Sequence, residues 1–233
     1  MTAEDSTATS NTRRKEVVRQ SLSVAVATGL YGVSFGALSV AAGLSTWQTV
    51  ALSVLLFSGG SQFALVGVVA AGGAGLSAVA TSTLLGVRNG LYGLQVSRLL
   101  EARGWRRLVA AHLTIDESTA VAVVQPEREM SRTGFWWTGL GVFVGWNFTT
   151  FVGAMIGNAI GDPKTYGLDA AAVAAFCALL WPRLGSHEAR GVALAAAAIA
   201  LLLAPHSAAG VPVLAAAAAA VLAGLLPRRS TAP

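Results

Sequence analysis

From Gln20 to Val87 the chain runs 68 residues without one charged side chain. A soluble core helix or strand is far shorter than this, whereas one membrane span needs about 20 apolar residues. The run therefore predicts several spans in succession. Near its middle lies a polar, glycine-rich interruption, Phe57-Ser58-Gly59-Gly60-Ser61-Gln62-Phe63. Backbone that leaves the helix at membrane depth must line a cavity or be buried in protein, because lipid satisfies neither N–H nor C=O. A broken helix of this kind is the usual mark of a solute site in a transporter. Two glycines flanked by two serines predict the break within residues 57–62, with backbone N–H groups turned into a polar cavity.

The rest of the composition agrees. Charged residues make up 12% of the 233 positions, about half the ~25% of soluble domains. The net charge of +5 sits in loops and tails, where the positive-inside rule puts it, and is no nucleic-acid footprint. A lone cysteine, Cys177, excludes an intrachain disulfide and reads as a small core residue. Residues 1–20 read as a disordered cytoplasmic tail ending in Arg13-Arg14-Lys15 and Arg19. The apolar stretch that follows outruns a signal h-region, so it is read as an uncleaved first span. Residues 21–227 form one transmembrane domain, and 228–233 a short basic cytoplasmic tail.

Eight apolar segments can be marked, at about 21–43, 47–71, 76–97, 108–125, 134–160, 167–182, 191–204 and 211–226. Eight full crossings would place the arginines at 98–107 opposite both basic tails. Segments 47–71 and 108–125 are therefore expected to enter without crossing, which puts nearly every Lys and Arg on the cytoplasmic side. Segment 21–43 is an alternative place for a break. The expected fold is an all-α, multi-span membrane protein of about six crossings plus one or two broken or re-entrant segments. Gly29, Gly32, Gly36 and Gly43-Leu44-Ser45 before an apolar run in one half, and Gly153, Gly157, Gly161 and Gly167-Leu168-Asp169 in the other, suggest a weak internal repeat. Small residues at every fourth position more often pack helices, and packing is preferred here.

The chemistry concentrates in two places. In segment 108–125, Asp116 and Glu117 are adjacent carboxylates in apolar surroundings, and His112 lies four residues before Asp116, on the same face of a continuous helix. A carboxylate at mid-membrane costs roughly 2.5–3.5 kcal/mol on insertion scales, so it faces a cavity or a partner. Either residue could carry a coupling proton or hold an ammonium group; Asp116, with His112 as relay, is the favoured carrier. The competing reading is that Asp116 or Glu117 caps a helix that starts there, with Thr114 before it. Arg88, the one cation inside an apolar segment, is expected to pair with Asp116 or Glu117 and could also meet a substrate carboxylate. Ser58, Gly59, Gly60, Ser61, Gln62, Asn89, Tyr92 and Asn147 complete the candidate substrate site. Gly32-Val33-Ser34-Phe35-Gly36 matches the nucleophile-elbow pattern, but that motif needs a strand-turn-helix; an intramembrane hydrolase using Ser34 and His112 is thus the lesser alternative. No zinc-spaced cluster or phosphate loop is present, so neither metal nor cofactor is expected.

At these residues the chain resembles the AzlC family, the large subunit of branched-chain amino acid exporters. Residues 57–63 are similar to that family's Phe-Ala-Gly-Ser-Ala-Gln-Phe stretch. Leu113 to Ser118 resemble its Thr-Asp-Glu signature, with Ile115 departing from the pattern. Arg88 to Gly93 are similar to its Asn-x-Arg-His…Tyr-Gly segment, with Gly86 in place of the Asn and Asn89 in place of the His. Trp146 to Gly153 fit its fifth segment, and the likeness covers about residues 20–205. The resemblance implies export of branched-chain or other small apolar amino acids across the inner membrane, no enzymatic activity, and a small four-helix partner of the AzlD type. The short, Ala-rich segments 191–204 and 211–226 are where such a partner would pack, unless the chain is a structural subunit without a substrate of its own.

Overall fold

The computed structural model describes residues 3–160 and 184–225, with isolated positions between 165 and 181. The expected segment 167–182 and the 228–233 tail lie largely or wholly outside the described residues. Every element in the described residues is helical. In chain order they are α1 (Ala3–Leu30), α2 (Gly32–Ala41), α3 (Thr46–Leu55), α4 (Gly59–Ala70), α5 (Gly75–Leu100), α6 (Trp105–His112), α7 (Asp116–Val123), α8 (Arg128–Ile160), α9 (His187–Leu203) and α10 (Val211–Leu225). Two stretches, Ser10–Ala41 and Arg128–Ile160, are long and apolar enough to cross a membrane.

The tail expected to be disordered is instead the first half of α1, helical from Ala3. It contains no glycine or proline before Gly29. It also has something to pack on: Val17 and Ser21 are buried, and the Ser21 hydroxyl donates to the Gly134 carbonyl of α8 at 3.4 Å.

α1 and α2 run parallel to α8 and touch it along their whole shared length. The two glycine stripes that suggested a repeat are the two sides of this contact. A Cβ on Gly36 would stand 2.1 Å from the Thr150 carbonyl oxygen, and one on Gly153 2.1 Å from that of Val33. The backbones are too close for a methyl group, which is how small residues let membrane helices associate.

The contacts define two ends of the molecule. At one, the near end, Arg13 pairs with Glu127, and Arg128 and Arg132 both pair with Glu101. At the other, the far end, Asn158 donates to Thr46 at 2.8 Å, and Gly73 lies against Ala209. α5 spans about 39 Å at 1.5 Å per residue and joins far end to near end. The segments between the long helices behave differently. α3 starts at the far end beside Asn158, stops at Leu55, and after Leu56-Phe57-Ser58 the chain turns back as α4 to the far end. α6 starts at the near end, and after Leu113-Thr114-Ile115 α7 returns there, where Gln125 meets Gln20. Each is a helical hairpin whose tip lies in mid-molecule.

The two hairpins are related by an offset in sequence and by inversion in space. Trp47 and Trp105, at their starts, are 58 residues apart (105 − 47). The left-handed residues just before them, Gly43 (φ +95°) and Glu101 (φ +47°), are also 58 apart (101 − 43). Thus a long helix followed by a hairpin from its exit end occurs twice with opposite orientation. Inverted repeats of this kind are common in secondary transporters.

Candidate functional site

Both hairpin tips arise from local chemistry. Ser58 is extended (φ −159°, ψ 103°) and caps α4, so Gly59 and Gly60 fall in its first turn rather than in the break. The unwound residues are 56–58, slightly before the glycines that predicted them. Ending α3 frees backbone carbonyls in an apolar interior, and one side chain satisfies them. Gln62, fully buried, donates from Nε2 to the carbonyls of Ser53 (3.2 Å) and Leu56 (2.8 Å). In the second tip Ser118 does the same, donating to the Leu113 carbonyl at 2.6 Å while accepting from the Ile115 N–H at 3.1 Å. Thr114 donates to the Ala110 carbonyl at 2.7 Å. The acceptor ends of the broken helices are thus closed off by side chains, while the donor ends of α4 and α7 face inward.

They face the same cavity. It is lined by Ser58, Gly59 and Gly60 from the first tip and by Ile115, Asp116 and Glu117 from the second. Arg88 of α5, Thr28 of α1, Tyr31 between α1 and α2, and Trp146 of α8 also line it, with Phe57, Phe63 and Val142. It encloses about 30 Å³, room for a water or two and well below the ~300–1,000 Å³ of ordinary small-molecule sites. The aromatic wall is tightly built: Tyr31 meets Trp146 edge-on at 5.3 Å between ring centres, and Phe35 stacks on Trp146 at 5.9 Å.

Asp116 and Glu117 occupy the first turn of α7, where negative charge is favoured by the helix dipole. They line the cavity from the start of the helix, but neither carboxylate is its cap as the competing reading had it: the N-cap is Ile115. Their surroundings differ. Asp116 is 2.7 Å from the Arg88 guanidinium and accepts from the Tyr92 hydroxyl at 2.7 Å. Among the described residues no cation reaches Glu117 at ion-pair distance; the Thr28 hydroxyl stands beside it.

Several candidate residues lie elsewhere. His112 ends α6 and Asp116 begins α7, so the helical face they were expected to share does not exist. His112 packs instead against Phe57 and Phe143. Gln62 is a structural brace rather than part of the cavity lining. Asn147 donates to the Phe143 carbonyl in its own helix. Ser61 and Asn89 carry buried oxygens without hydrogen-bond partners and do not line the cavity. Tyr92 does not line the cavity and meets the site through Asp116. Ser34 is buried within α2, with no strand-turn-helix around it, so the nucleophile-elbow context is lacking. Segment 21–43, the alternative place for a break, is interrupted as well, at the single residue Tyr31 between α1 and α2. Tyr31, Thr28 and Trp146 were missed; a buried tryptophan must find an acceptor for its N–H, and Gln62 in the uncharged run was a signal for one.

Comparison with known proteins adds a family. The family model described as AzlC protein matches residues 23–160. The chain is 24% identical over 146 residues to an uncharacterized membrane protein of Helicobacter pylori, a match covering 62% of this chain and 64% of that relative. No solved structure matches.

Proposed function

This chain belongs to the AzlC family, and on that premise we propose that it is the large subunit of a proton-coupled secondary transporter. In this reading it exports branched-chain or other small apolar amino acids across the inner membrane. The observation that carries the reading is the meeting of two oppositely inserted hairpin tips at one charged cavity. The free N–H groups at Gly59 and Gly60 suit a substrate carboxylate. Glu117 suits its ammonium group, and the Phe57, Phe63 and Trp146 rings its apolar side chain. Arg88 and Asp116, already paired, shape the site rather than present an open charge.

The same geometry moves the coupling proton from Asp116 to Glu117. Asp116 is already held by Arg88 and Tyr92, whereas Glu117 has only the Thr28 hydroxyl beside it and no cation at ion-pair distance among the described residues, so either ammonium or proton could neutralise it. A cavity of about 30 Å³ is too small for substrate and fits an empty, collapsed state of an alternating-access cycle, with the α3–α4 hairpin gating the far side and the α6–α7 hairpin the near side.

The basic residues of α1, the α5–α6 loop and the start of α8 gather at the near end, which supports a cytoplasmic near end and N-terminus. A small four-helix subunit would cover α9 and α10. No residue of α9 is buried, and Leu194, Leu201 and Leu202 are more than 70% exposed.

The test is efflux of labelled leucine, isoleucine and valine from proteoliposomes holding this chain and its small partner. Glu117→Gln should abolish acceleration by a pH gradient while leaving substrate exchange measurable. Asp116→Asn should lower both together. Gradient-driven efflux by Glu117→Gln at the unmodified rate would remove Glu117 from the coupling step.

A further inference from the structure

We propose that the groove between α1 and α8 is a binding site for an anionic glycerophospholipid drawn from the leaflet at the near end. Two hollows of about 910 and 570 Å³ run into each other along this seam, sharing Leu22, Val26, Leu30 and Trp137. One stripe of α1 forms a wall. Lys15, Arg19, Leu22, Val26 and Leu30 follow one another at spacings of 4, 3, 4 and 4 residues, which places them on one helical face. The first two are basic and the last three apolar, and Arg14 flanks the basic end of the hollow.

The cations at the rim are uncommitted. Arg13, one residue earlier, pairs with Glu127. Arg14, Lys15 and Arg19 form no ion pair with any described residue. The groove's length also fits. Arg19 to Leu30 is 11 residues, about 17 Å of helix, close to half of a ~30 Å hydrocarbon core. A phosphate held at Arg14, Lys15 and Arg19 would therefore lay its acyl chains along Leu22, Val26 and Leu30, against the ring of Trp137, and end near the membrane midplane. The floor is low because Gly29 and Gly145 bring the two backbones together there. A protein helix, ~10 Å across, would fill the apolar part but leave the rim cations unanswered, so the charge pattern favours lipid. Basic pockets between helices at the cytoplasmic surface recognise anionic head groups in this manner.

The experiment compares phosphatidylglycerol with phosphatidylcholine by native mass spectrometry and by thermal melting of the purified full chain in detergent. The unmodified chain should retain phosphatidylglycerol preferentially and melt at higher temperature with it. The R14Q/K15Q/R19Q variant, altered only at exposed positions, should melt as the unmodified chain does without lipid and lose the preference, by roughly fivefold per charge removed. Val26→Trp, which blocks the groove without changing charge, should lower retention of phosphatidylglycerol. Equal retention of both lipids by the unmodified chain would overturn the proposal, as would an undiminished preference in the triple variant. Cross-linking of the small partner to a cysteine placed at Val144 would equally overturn it, by showing that a protein fills the groove.

Discussion

Trp146 donates its indole N–H to the side-chain oxygen of Gln62 at 2.8 Å, while the amide of the same Gln62 closes the carbonyls left open at the first hairpin tip. One fully buried side chain thus holds the break in shape and ties it to α8. Gln62→Ala would leave the Ser53 carbonyl and an indole N–H unpaired, each costing about 1–3 kcal/mol, while the Leu56 carbonyl would keep the Ser58 N–H at 2.7 Å. Trp146→Phe would leave one acceptor unpaired and keep the stacking on Phe35. The expected order of melting temperatures in detergent is unmodified, then Trp146→Phe, then Gln62→Ala well below. Equal loss in the two variants would show that the carbonyl contacts contribute little.

The glycine contact gives a sharper contrast. At Gly36 and Gly153 an added methyl meets backbone of the facing helix at 2.1 Å, which no side-chain rotation can relieve; at Gly90 it meets nothing within 4 Å. Gly36→Ala and Gly153→Ala should each separate α2 from α8 and cost the ~1–3 kcal/mol of overpacking, or more. Gly90→Ala, in a helix interior, should be neutral or stabilise by up to ~1 kcal/mol. Thermal unfolding of the three variants side by side checks this, and a stable Gly36→Ala would show that the two helices are not held at this distance.

Some of this architecture was legible in the residues. Ser58-Gly59-Gly60-Ser61 announced the first break through propensity and capping, and Asp116-Glu117 marked the second through the cost of charge in lipid. That Arg88 would pair with Asp116 or Glu117 followed from the same cost; which of the two it meets did not. What propensity could not supply was which tips meet, because that depends on contacts between distant parts of the chain. Tyr31 and Trp146 therefore looked like ordinary apolar-helix aromatics, and His112 looked like a neighbour of Asp116 across a turn that the break removes. The inverted relation between the hairpins rests on Trp47, Trp105 and two left-handed residues, too few positions to be seen before the backbone is.

Arg88 and Asp116 form a pair only partly open to solvent, with side chains 24% and 17% exposed. Removing one partner of such a pair strands the other, at a cost that reaches 3–5 kcal/mol for fully buried cases. Arg88→Gln alone should therefore express poorly, and the double variant Arg88→Gln/Asp116→Asn should recover much of the folded yield without recovering efflux. Measuring folded yield by size-exclusion chromatography and efflux on the same preparations separates the two effects. If the double variant is no more stable than Arg88→Gln, the pair is not what holds α5 to the second tip.

A cavity with room for a water or two cannot admit an amino acid unless one of its walls moves, and the two hairpins are the elements that end inside it. Each hairpin has a contact at its base that can be locked. Thr46 and Asn158 touch at the far end, and Gln20 and Gln125 at the near end. Cys177 is the chain's lone cysteine and is exposed, so Cys177→Ser gives a clean background for pairs of introduced cysteines. Thr46→Cys with Asn158→Cys, bridged by a short bifunctional thiol reagent with a cleavable link, should stop efflux by holding the α3–α4 hairpin shut. Gln20→Cys with Gln125→Cys should stop it from the other side. In both cases cleaving the bridge should restore transport, and each locked form should expose the cavity to thiol reagents from the opposite face alone when a further cysteine replaces Ser58. Full-rate efflux through a chain bridged at either end would mean that the hairpin concerned is not a gate.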